Sequence, residues 1–78
     1  MIFVIFQEIY LGDLIQFRSP YTGHLWVGYV VKINKKKRKL KLSRSWETSL
    51  TFLGGIVTAP YWWSFDQMED VEVLYTEN

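Results

Sequence analysis

The sequence predicts an all-β protein: about five to seven short antiparallel strands, with a 3₁₀ turn before the last. Three observations carry this. No helix-length window has apolar residues at a 3.6-residue period. Runs of β-branched and aromatic residues recur instead, broken by Gly, Pro, Asn and Ser. Within several of these runs apolar and polar residues alternate, which is the period of a pleated strand with one face buried.

The first expected strand is Ile2–Tyr10, which opens on the apolar MIFVIF. That stretch reaches only six residues before Gln7 and Glu8, too short for a membrane span or the core of a signal peptide. Gly12-Asp13 turns the chain into LIQF at 14–17, where Leu14 and Gln16 alternate with Ile15 and Phe17. SPYTGH at 19–24 is a loop punctuated by Pro20 and Gly23. LWVGYVVKI at 25–33 places Val27, Tyr29, Val31 and Ile33 on one face and Gly28, Val30 and Lys32 on the other.

Asn34 and the lysines after it make a turn, and KLKLS at 39–43 returns with Leu40 and Leu42 inward and Lys39 and Lys41 outward. Residues 45–60 contain one or two short strands around Gly54-Gly55. YWWSF at 61–65 is a further strand, and DQMED at 66–70 suits a 3₁₀ turn. VEVLY at 71–75 closes the chain, with Val71, Val73 and Tyr75 on one face.

This order resembles the small SH3-like barrels, the group of SH3, Tudor and KOW-type modules. Gly12-Asp13 and the stretch from Asp66 to Leu74 carry the resemblance. The chain also resembles very short SH3-like proteins of tailed bacteriophages, with their GDL start, G-x-V hairpin and acidic closing strand. The resemblance covers most of residues 12–75. It leaves over an extra N-terminal apolar strand and an apolar insertion at about 47–60.

The 78 residues allow one domain with a modest core. Aromatics form 18% of the chain, and each ring buries about 150–250 Å², so that core can be densely filled. With no cysteine there is no disulfide or thiolate metal site, and a cytoplasmic setting is expected. Catalysis is not expected, because the one histidine, His24, sits alone in a loop. Asp66, Glu69 and Asp70 lack the spacing of a calcium loop, and no Lys-Ser/Thr follows Gly54-Gly55 to make a phosphate loop. No cofactor is expected.

Charge is split along the chain. Net charge is +1, yet eight of the nine basic residues lie in 32–44. Residues 64–78 carry Asp66, Glu69, Asp70, Glu72 and Glu77 and no base. Two readings of the basic stretch stand side by side. Lys35, Lys36, Lys37, Arg38, Lys39, Lys41 and Arg44 could track phosphates from a hairpin. Equally, outward strand positions and turn tips must be polar, and lysine guards sheet edges against aggregation.

The aromatic residues singled out are Tyr21, Trp26, Trp62 and Trp63. The two adjacent tryptophans must face opposite ways on a strand, one into the core and one outward. Tryptophan and tyrosine are frequent interface anchors. With Asp66, Glu69 and Asp70 they form the expected partner-binding set; a methyl-lysine cage beside Asp66 is the narrower alternative.

The first expectation is therefore a non-enzymatic binding module of phage type. It would inhibit a host replication or transcription protein, for example a sliding clamp or RNA polymerase. The alternative is a nucleic-acid-binding protein that uses the basic hairpin. Homodimerisation through the N-terminal strand or residues 47–60 is a separate expectation.

Overall fold

The structure, a computed structural model, describes residues 3–47 and 61–76. It is all-β. Among the described residues five strands, β1 (Leu14–Arg18), β2 (Leu25–Asn34), β3 (Lys39–Glu47), β4 (Tyr61–Ser64) and β5 (Glu69–Tyr75), form one antiparallel sheet of order β4-β3-β2-β1-β5. Two 3₁₀ turns, Phe6–Glu8 and Phe65–Gln67, precede β1 and β5. Among the described residues no helix is long and apolar enough to cross a membrane. The apolar stretch at 48–60 lies outside the described residues.

The N-terminal segment departs from the expected strand. Phe6–Glu8 winds into a 3₁₀ turn because the Glu8 carboxylate accepts the Ile5 backbone N–H at 2.9 Å and the Ile9 N–H bonds back to the Phe6 carbonyl at 3.2 Å. Phe6 and Ile9 are both buried. An i, i+3 pair cannot share one face of a strand, whereas a turn brings both inward. One backbone bond, from Val4 N–H to the Val71 carbonyl at 2.8 Å, tacks this segment to β5.

Gly12-Asp13 makes the turn into β1. Gly12 has φ +90, a conformation that side-chain-bearing residues rarely adopt. Asp13 is buried, and its Oδ2 accepts the Tyr10 N–H at 2.9 Å. The backbones of Gly12 and Asp13 exchange bonds with Val30 at 2.8 and 2.9 Å, which fixes the start of β1 against β2.

Alternation holds on β1, where Ile15 and Phe17 are fully buried, and on β3, where Leu40 and Leu42 are. On β2 the expected faces are corrected. Trp26, Gly28 and Val30 share the core face, since Phe17 pairs with Trp26 and Ile15 with Gly28. Tyr29 and Val31 are exposed. The register with β3 then shifts between Val30 and Lys32, leaving Val31 as an extra residue. Such a bulge inverts the parity of the residues after it, and Ile33 packs against the core. A second bulge on β5 has the same effect. Ile15 pairs with Val73 but Leu14 with Tyr75, so Leu74 is extra and Tyr75 is exposed, not inward as expected.

Candidate nucleic-acid interface

Between β2 and β3, residues 35–38 form the turn. The Asn34 side-chain oxygen accepts the Lys37 N–H at 3.0 Å, and Arg38 closes the turn with φ 53. Because Leu40 and Leu42 fill the core, Lys39 and Lys41 must point the other way. Cross-strand pairing then sets out two rows on the outer face. Lys32 opposes Lys41, which opposes Trp62; Asn34 opposes Lys39, which opposes Ser64.

Lys32, Lys35, Lys36, Lys37 and Lys39 are exposed, and Lys41 is half-buried. No carboxylate forms an ion pair with any of the six among the described residues. The side chain of Arg44 lies outside the described residues.

Arg38 differs from the six lysines in having an acidic partner. Its Nε meets Asp66 Oδ1 at 3.0 Å. Its guanidinium lies 5.1 Å from the Phe6 ring centroid and 5.5 Å from that of Phe65, and those rings pack edge to face at 5.3 Å. Its carbonyl accepts the Phe65 N–H at 2.9 Å. The aromatic and acidic groups around Asp66 thus already hold a cation, the chain's own Arg38.

The expected partner-binding residues divide between the core and the surface. Trp63 turns inward, 4.7 Å from the Phe17 ring and 5.5 Å from Trp26, and both tryptophans pack against the core. Trp62 faces outward with 43% of its surface exposed. Tyr21 is exposed in the 19–24 loop, and its hydroxyl donates to Gln67 Oε1 at 3.1 Å. Asp70 stands 3.8 Å from the Arg18 guanidinium, while Glu69 is exposed. Among the described residues no group of three His, Cys, Asp or Glu side chains gathers as a metal site.

Two features escape a reading of the sequence. A groove of about 580 Å³ opens between the N-terminal segment and the hairpin, with Ile9, Leu11 and Ile33 along it and Lys35 and Lys36 beside them. An apolar stripe also crosses the outer face, where Leu14 stands between Tyr29 and Tyr75 in register. The one available signal was the adjacent pair Tyr10-Leu11, apolar just before a turn. No protein-family model, curated protein or solved structure matches the chain.

Proposed function

We propose that the protein is a small, non-enzymatic nucleic-acid-binding module of SH3-like type. The fold part of this reading is supported by the strand order: β1 to β4 run as a meander, and β5 returns beside β1 after a 3₁₀ turn. The function part is carried by one observation. Six lysines without carboxylate partners among the described residues crowd one hairpin, two of them, Lys32 and Lys41, directly opposite each other. Like charges facing across a strand pair destabilise a sheet. A hairpin kept only for solubility gains nothing from that arrangement, whereas a phosphate backbone neutralises it.

Lysines grip phosphates without reading bases, so binding depends little on sequence. About five phosphate contacts on a single strand make affinity fall about 100-fold between 50 and 200 mM salt. Fluorescence anisotropy with labelled oligonucleotides measures this. The triple variant K35Q/K36Q/K37Q is expected to lose binding; unchanged affinity in that variant rejects the site.

A second reading is favoured by the other end of the sheet. The Tyr29-Leu14-Tyr75 stripe lies beside Glu72, which pairs with Gln16 one step along the same face. Apolar and acidic groups together suit the basic, DNA-contacting surface of a replication or transcription protein, as a phage-type inhibitor would need. Titration against a purified sliding clamp and RNA polymerase tests it. Saturable binding lost on Tyr75→Ser supports it, and none with either target sets it aside.

A further inference from the structure

We infer that the ligand of the basic face is single-stranded, and that Trp62 is a platform on which one of its bases stacks. This rests on the nucleic-acid reading above and deepens it.

Adjacent strand residues face opposite ways, and Trp63 is the one packed against Phe17 and Trp26 in the core. Trp62 is left outward on β4, the edge strand among the described residues, with 43% of its surface exposed. Leaving a large ring in water on an edge strand is unfavourable and invites aggregation.

Its surroundings give that ring a use. Lys41 lies directly across from it, and Lys32 lies across from Lys41. Lys39 lies across from Ser64, two residues along on the same face. A part-exposed aromatic ring set among lysines on a sheet face is the combination that binds single strands: bases lie on the ring and flexible cations follow the backbone. A duplex offers no such match. Its bases are stacked and paired inside, and a ring on a sheet face does not enter its grooves. The lysines alone would hold a duplex only through its phosphates.

The test compares a labelled oligo(dT) 12-mer with the corresponding dT·dA duplex by anisotropy in the same buffer, using wild-type protein, Trp62→Ala and Trp62→Phe. Wild type is expected to bind the single strand at least about tenfold more tightly. Trp62→Ala should weaken that binding by about 5- to 150-fold, the range for one base–aromatic stack. Trp62→Phe should recover most of it, and duplex affinity should change less than twofold in either variant. A second measurement needs no variant: ultraviolet cross-linking of a 5-iodouracil-containing strand should label Trp62. Equal affinity for strand and duplex, or single-strand binding that survives Trp62→Ala with cross-links elsewhere, overturns the inference and leaves the lysine grip standing. No binding to either oligonucleotide overturns both.

Discussion

The hairpin of β2 and β3 and the segment around the second 3₁₀ turn carry opposite charge, and they handle it differently. Asp66 and Asp70, at that turn and the start of β5, are each met by an arginine, Arg38 and Arg18. The six lysines of the hairpin are met by nothing acidic among the described residues. The division follows residue chemistry. Guanidinium is planar, lies well against aromatic rings and holds a carboxylate in fixed geometry; a lysine ammonium is a strongly hydrated point charge on a flexible stem. In this chain the two described arginine side chains tie stretches of the fold together, and the lysines make no ion pair among the described residues. Clustering of bases in the sequence therefore does not distinguish Arg38, which is paired within the fold, from the lysines around it.

That contrast predicts a double dissociation. The largest effect belongs to the lysines: K35Q/K36Q/K37Q should lower nucleic-acid affinity by about 100-fold at low salt while the melting temperature stays within about 2 °C, since exposed charges contribute little to stability. The next belongs to Arg38. Arg38→Gln removes an ion pair and two ring contacts made by a partly exposed guanidinium, which together contribute about 0.5–1 kcal/mol after solvent screening. For a domain of this size that lowers the melting temperature by about 2–8 °C. The salt slope of nucleic-acid binding should be unchanged. A fall in affinity matching that of the lysine variant would erase the distinction between the two kinds of base. The smallest effect is the most diagnostic of strain. Lys41→Gln relieves the repulsion across from Lys32 and should raise the melting temperature by about 1–3 °C, from a few tenths of a kcal/mol. A decrease would mean that the half-buried Lys41 stem packs usefully, a role unrelated to charge.

How much of this the sequence could disclose depends on the distance over which each feature is decided. The hairpin was legible because its signals are local: Leu40 and Leu42 alternate with lysines, and Asn34 bonds within its own turn. The Gly12-Asp13 turn was legible for the same reason. The bulges at Val31 and Leu74 were not. Each inserts one residue against a partner strand, and nothing in the composition of β2 or β5 marks where the parity inverts. The N-terminal strand failed because an apolar run cannot declare its period; only the burial of Phe6 together with Ile9 reveals a turn. At the site, strand alternation exposed the lysines and set Trp62 against Trp63, but not which ring turned inward. The diversion of Arg38 depended on Asp66, 28 residues further along, and no local pattern records such a pairing.

Arg38 has one more consequence. It joins three stretches of chain at one point: the N-terminal turn through Phe6, the hairpin through its own left-handed backbone, and the second 3₁₀ turn through Phe65 and Asp66. A basic tract on a free tail must surrender backbone freedom, about 1–2 kcal/mol for each residue ordered, when it settles on a ligand. Here that surrender takes place during folding. The ammonium groups still swing on their stems, but the backbone beneath them is already in place, so under the proposed function the hairpin would meet nucleic acid preorganised.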